Sequence, residues 1–257
     1  MDKQVDLNAD VGESYGAFRI GADEELLRLV TSANIACGWH AGDPLVMAKT
    51  VDLAFRAGAG IGAHPGFPDL LGFGRRNLQI SRAEAKCYVL YQIGALEAFV
   101  RQTGETMQHV KLHGAMYNVV SKDPILASAV IEAVVEFDRD LILVGFSGSQ
   151  FVQLAQEAGL RIAHEAFADR AYAPDGTLVP RTSPGALIKD PAAAATRALR
   201  MMTEGLVQAS DGQDIRVRAD TICIHGDNPE AVAFARAVRQ SLENSGVRIR
   251  ALREFIA

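Results

Sequence analysis

The chain has 257 residues, 49% of them hydrophobic and 22% charged, which is ordinary globular composition with room for a sizeable core. A net charge of −5 leaves no basic field for a phosphate backbone, which argues against nucleic-acid binding. No apolar stretch approaches the roughly 18 residues of a membrane span; the start "MDKQVDLNAD" lacks the order of a secretory signal, and Cys37, Cys87 and Cys223 form no C-x-x-C pair, so a cytoplasmic protein is expected.

Short apolar runs alternate with longer segments of helical spacing. Residues 4–10 and 33–37 predict the first two strands. Asp43-Pro44 caps and opens a helix that runs to Ala57 and stops at Gly58. A strand over 60–64 follows. Ser81 and Glu84 form a capping box before a long helix ending near Gly104. A strand over 109–114 leads to a helix from Asp123-Pro124 to about Phe137. Strand 141–146 precedes a helix between Ser149 and Gly159. Strand 161–166 leads into 169–188, where Asp175-Gly176 marks a turn and a hairpin or flap is expected. A helix opens at Asp190-Pro191 and passes Met201 and Met202. The last unit is strand 221–225 and a helix from Asn228-Pro229 to Gly246, with a possible final strand in "VRIRALREF".

Continuous apolar strands alternating with helices predict an α/β fold on a parallel sheet, in one domain over 1–257. An open doubly wound sheet and a (β/α) barrel both fit. In either, chemistry gathers where the strands end.

Those ends are unusually polar. The first carries Asn8, Asp10 and Glu13; the second His40 and Asp43; the third His64 and Asp69. The fourth carries Lys111 and His113; the sixth Glu165, Asp169 and Arg170; the seventh His225 and Asp227. Asp43 reads as a helix cap. Lys111 inside an apolar strand needs a partner or a ligand, and Asp10 also interrupts a strand. Asp10, Glu13, His40, His64 and His113 are therefore the candidate catalytic groups, opening on one rim. Asn8, Lys111, Asp169, Arg170, Arg181 and His225 are candidate substrate-binding groups, the arginines being suited to a carboxylate. His, His and Asp from different strands could hold a divalent ion, although no H-E-x-x-H motif is present.

Two motifs are decoys. "GAGIGA" at 58–63 has dinucleotide-fingerprint spacing but precedes a strand end and Pro65. Ser147 lacks the G-x-S-x-G frame of a nucleophile elbow. No phosphate-binding P-loop motif is present.

Taken in order, "DLNADVGES", "NIACGWHAGDP", "GAHPGFPD", "KLHGAMYN", "FADRAY", "DGTLVPR" and "ICIHGD" resemble the LamB/YcsF family over nearly the whole chain. The resemblance implies a (β/α) barrel of the glycoside hydrolase/deacetylase type, seven-stranded or irregular. It implies ATP-coupled hydrolysis of the lactam of 5-oxo-L-proline to L-glutamate, as the A subunit of a 5-oxoprolinase acting with separate subunits B and C. The ATP site would be shared with or carried by those partners. The rival readings are a metal-dependent amide or N-acetyl hydrolase working without ATP, and a non-catalytic subunit that positions its partners.

Overall fold

The computed structural model describes residues 3–226 and 230–257. Asp227 and the Asn228-Pro229 helix start lie outside the described residues. In chain order the elements are β1 (Gln4–Val11), α1 (Asp23–Leu27), β2 (Ser32–Ala36), α2 (Pro44–Ala57), β3 (Gly60–His64) and α3 (Arg82–Val100). Then come β4 (His109–Lys111), α4 (Gly114–Val120), α5 (Pro124–Phe137), β5 (Ile142–Phe146), α6 (Gln150–Glu157) and β6 (Arg161–Phe167). The last are α7 (Pro191–Glu204), β7 (Leu206–Gln208), β8 (Asp214–Arg216), β9 (Thr221–Ile224), α8 (Ala231–Asn244) and β10 (Arg248–Ile249).

The choice between open sheet and barrel is settled by one pairing. Strands run in the order β1-β2-β3-β4-β5-β6-β9, and β9 pairs back onto β1 with Asp6 opposite Thr221. Every pairing in this ring is parallel, so it is a closed seven-stranded (β/α) barrel. The tail strand β10 adds outside the ring, beside Gln4 and Val5.

Side chains alternate across each strand. Val5, Leu7, Ala9 and Val11 of β1 join the large apolar cluster between barrel and helices. Asp6, Asn8 and Asp10 of the same strand hydrogen-bond to side chains across the bore. Both faces are buried, so the strand reads as nearly continuous while its inner face is polar.

The predicted caps are present. Asp43, Asp123 and Asp190 each accept two backbone N–H groups at the start of α2, α5 and α7, each followed by proline. Ser81 and Glu84 close a reciprocal box at α3, and Ser149 caps α6. In 169–188 the expected hairpin is two isolated bridges, Tyr172–Leu178 and Arg170–Leu187, around the Asp175 turn, rather than a ladder. Three short elements were not expected: α1, α4, and the β7–β8 hairpin turning through Asp211-Gly212. Cys37 and Cys223 are buried and Cys87 is exposed. Among the described residues no helix is long and apolar enough to cross a membrane.

Candidate active site

The bore is built in layers from its floor upward. At the floor, the Asp6 carboxylate accepts from Thr31 (2.7 Å), Ser32 (2.6 Å) and Thr221 (2.5 Å). All three donors are neutral. Burial pushes the Asp6 carboxyl up to about 6, with the three hydroxyls pulling partly the other way.

The middle layer joins five strands. Asn8 Oδ1 accepts from Asn34 (2.7 Å) and Lys111 (3.2 Å), while its Nδ2 donates to Thr221 Oγ1 (2.7 Å) and Glu165 (3.2 Å). Asn34 Oδ1 lies 2.7 Å from His109 Nε2, and burial with Lys111 nearby pushes that histidine down to about 3. Gly62 is glycine because a Cβ there would stand 2.2 Å from the His109 ring. Lys111 Nζ sits between two carboxylates, Asp10 at 2.7 Å and Glu165 at 2.9 Å. Burial opposes its charge, but Asp10 and Glu165 outweigh burial and hold the ammonium well above its usual pKa. Tyr117 Oη donates to the other oxygen of Glu165 at 2.6 Å.

The mouth holds the imidazoles. Asp10 lies 3.4 Å from His64 Nε2 and accepts from Asn34 Nδ2 at 2.8 Å. Burial alone would raise its carboxyl, but His64 and Lys111 prevail and hold it well below the usual range. His113 Nδ1 is 3.0 Å from His64 Nε2, and His40 stacks on His113 with ring centroids 3.7 Å apart. Glu13 Oε1 is 3.5 Å from both His40 and His113. Burial keeps His40 and His113 neutral, and the neighbouring imidazoles reinforce it.

The loop from β3 to α3 roofs these rings. Gln92 of α3 grips Gly66 through both its backbone groups, and Asp69 accepts from Gly72 and Arg76. Phe73 is the one non-glycine among the described residues with a left-handed backbone (φ 54°). That conformation accompanies a 2.9 Å bond from its carbonyl to His113 Nε2. A Cβ at Gly66 or Gly74 would stand 2.7 Å from His40.

Across the mouth, His225 Nδ1 pairs with Asp169 at 2.7 Å and its ring stacks on Phe167. Burial would raise Asp169, but His225, Arg181 and Arg170 hold it low. Arg170 is buried; its Nη2 donates to the Val179 carbonyl, and its Nε has no hydrogen-bond partner among the described residues. Burial and the Arg181 charge bring its guanidinium down to about 10.

The predicted groups therefore converge on one end of the barrel, but two expectations change. The rim is not open: Asp10, His40, His64 and His113 are at most 6% exposed, because the 65–81 loop covers them. Lys111 and Asn8 are also engaged within the bore, so Lys111 is a charge partner of Asp10 and Glu165 rather than an unoccupied anchor for a substrate carboxylate. A surface cleft of about 400 Å³ lies between α1 and α2, lined by Arg19, Asp23, Lys49 and Thr50, and no imidazole lines it. Asn34, Glu165 and Tyr117 belong to the network without having been predicted as catalytic or binding residues; Asn34 continues the alternate polar positions of β1 and β2, Glu165 stood only as a polar strand end, and Tyr117 lies on the helix α4.

A model of the LamB/YcsF family matches residues 5–257. A Pyrococcus abyssi protein named as the A subunit of 5-oxoprolinase is 54% identical over 253 residues, covering 98% of this chain and 99% of that one. The crystal structure of a lactam utilization protein from Thermus thermophilus superposes with a TM-score of 0.92 at 52% identity, covering 96% of this chain and 99% of that one. A family 4 carbohydrate esterase from Streptomyces lividans, 11% identical with a TM-score of 0.51 over 96% of this chain and 91% of that one, shares the barrel fold alone.

Proposed function

The chain belongs to the LamB/YcsF family, and from that membership and the charged mouth of its barrel we propose that it is the A subunit of a 5-oxoprolinase, opening the lactam of 5-oxo-L-proline to L-glutamate. The observation that carries the chemistry is the Asp10 carboxylate, held ionised 2.7 Å from Lys111 and 3.4 Å from His64 at the roofed mouth of the barrel. An ionised acid beside an imidazole is the pair needed to take a proton from an attacking water. Water oxygen adds to the lactam carbonyl carbon, its proton passing to the Asp10 carboxylate. The ring C–N bond then breaks, and the leaving nitrogen takes that proton from Asp10. Lys111 and Tyr117 fix the carboxylates through which this charge moves.

The substrate carboxylate pairs with Arg170 and Arg181 across the mouth, where the buried Arg170 Nε points to an anion. An unstrained five-membered lactam is a weak electrophile. Coupling to ATP supplies the drive by phosphorylating the amide oxygen with release of ADP; after water adds and the ring C–N bond breaks, the carboxyl is left as an acyl phosphate, which a second water hydrolyses to glutamate and phosphate. No nucleotide loop is carried by this chain, so ATP binds with or on partner subunits B and C. Partners also account for apolar side chains left bare on the loops and the first turn of α2: Phe18 is 75% exposed, Leu45 83% and Leu71 95%. Three unpaired cysteines suit the cytoplasm.

The test is glutamate formation from 5-oxoproline and ATP by the chain with and without partner subunits B and C. Turnover requiring this chain supports the reading. Deacetylation of N-acetyl sugars by the isolated chain with a divalent ion, and no glutamate, replaces it with the ATP-independent hydrolase.

A further inference from the structure

The mouth contains an excess of electron pairs. His64 Nδ1 lies 2.8 Å from the Lys111 carbonyl, and His113 Nε2 lies 2.9 Å from the Phe73 carbonyl. A carbonyl oxygen can only accept, so each of those nitrogens carries its ring's proton. The opposite nitrogens, His64 Nε2 and His113 Nδ1, face one another at 3.0 Å, where they can share at most one hydrogen. The groups around them are acceptors too: Asp10 Oδ2 at 3.4 Å from His64, and Glu13 Oε1 at 3.5 Å from His113 and from His40. His40 is fully buried, and neither of its ring nitrogens has a hydrogen-bond partner among the described residues. Buried polar atoms are rarely left so.

One positive charge at the centre would resolve all of this. We propose that Glu13, His40, His64 and His113 form a binding site for a divalent cation of the zinc class. Each of the four offers one atom, and these atoms all lie within 4.8 Å of one another. Three imidazoles and a carboxylate, with no thiolate, are a donor set for zinc, cobalt or a similar borderline ion. Donation of the far N–H of His64 and His113 to backbone carbonyls is the support that fixes metal-binding tautomers. His40, stacked on His113, offers a ring nitrogen to the same centre. An ion here lies beside Asp10, where it would lower the pKa of a bound water.

The proposal rests on side-chain geometry and not on the lactam reading, so its test needs no substrate. Full-length chain is stripped with a chelator and dialysed against Zn²⁺ or Co²⁺. Metal content by mass spectrometry and the Co²⁺ visible spectrum are then recorded. Expected is one ion per chain, a Co²⁺ band of low-symmetry nitrogen and oxygen ligation, and metal affinity at least tenfold weaker in His113→Asn and Glu13→Gln. His164→Gln, which alters an imidazole outside the cluster, keeps full affinity. Circular dichroism establishes that each variant is folded; should a variant unfold, the wild-type stoichiometry and spectrum decide alone. Wild-type chain that retains no ion, or binding unchanged in folded His113→Asn and Glu13→Gln, overturns the site.

Discussion

Asp6 and Asp10 lie four residues apart on the same strand, both on the inner face of the barrel and both buried. Their carboxyls are shifted in opposite directions. Burial pushes both up, and what differs is the company. Asp6, at the floor, meets only hydroxyls: Thr31, Ser32 and Thr221. Asp10, at the mouth, meets Lys111 and His64. Hydroxyls satisfy lone pairs without offsetting the cost of an ion in a poorly polarisable interior, whereas an ammonium at 2.7 Å does. The floor is therefore a hydroxyl-bound carboxyl with no counter-charge that fixes the strands, and the mouth is an ion-paired site. This matches the general division of such barrels between a stabilising amino-terminal end and a chemical carboxyl-terminal end.

The largest effect expected from breaking this comparison comes from Lys111. Lys111→Met leaves Asp10 and Glu165 buried without their shared cation, and is expected to cost about 3–5 kcal/mol of stability in urea unfolding, with turnover lost by about a thousandfold or more. Adding Glu165→Gln should recover part of the stability and none of the turnover. Unchanged stability in Lys111→Met would mean that the mouth depends on a counter-charge no more than the floor does.

Asp6 sharpens the contrast through pH. Its carboxyl rises from an ordinary 3.8 to about 6 on folding. The folded state holds this proton more tightly than the unfolded chain, so the contribution of Asp6 is most favourable at low pH. It declines as pH rises through the interval between the two values, and is flat above. The other charge facing it, Glu165, acts in the same direction. Two pK units correspond to on the order of 2–3 kcal/mol. Urea unfolding of wild type should lose about that much relative to Asp6→Asn between about pH 4 and pH 7, with turnover of the variant within a few fold of wild type. Parallel stability profiles would remove the account of the floor.

Gly74→Ala probes the roof. The position has φ 62°, and a Cβ would stand 2.7 Å from His40. We expect about 1–2 kcal/mol of destabilisation from the left-handed backbone and crowding, and turnover reduced by about tenfold as the imidazoles shift. The smallest effect belongs to a cap. Asp43→Ala should cost about 1 kcal/mol of thermal stability while leaving the rate per folded molecule within about twofold.

Much of this architecture is legible in the sequence, because its barrel strands are apolar on the outer face and its helices begin at Asp-Pro or Ser caps. The seven ring strands fall within three residues of their predicted ends, and β4 is short because α4 begins at Gly114, directly after His113. The five-residue α1 and the three-residue strands β7 and β8 are too short to show a period, although Asp211-Gly212 was an available turn signal. In the site, His40, His64, His113 and Asp10 stand out as polar strand ends. Glu165 stands out in the same way, but the cross-bore partnerships of Asn34, Glu165 and Tyr117 do not, because each arises only when β9 closes onto β1 and remote strands face one another. The roof over the rings was hidden for a related reason. Loop 65–81 looks like a surface connection until Gln92 and Asp69 are seen to hold it in place.

The central claim is that the mouth of this barrel, and not its floor, carries out lactam opening. The most direct measurement is glutamate formation from 5-oxoproline by folded Asp10→Asn, assembled with the proposed partner subunits beside wild type and Asp6→Asn. The account predicts Asp10→Asn below about one hundredth of the wild-type rate and Asp6→Asn within a few fold of it. Comparable rates for the two variants would contradict it.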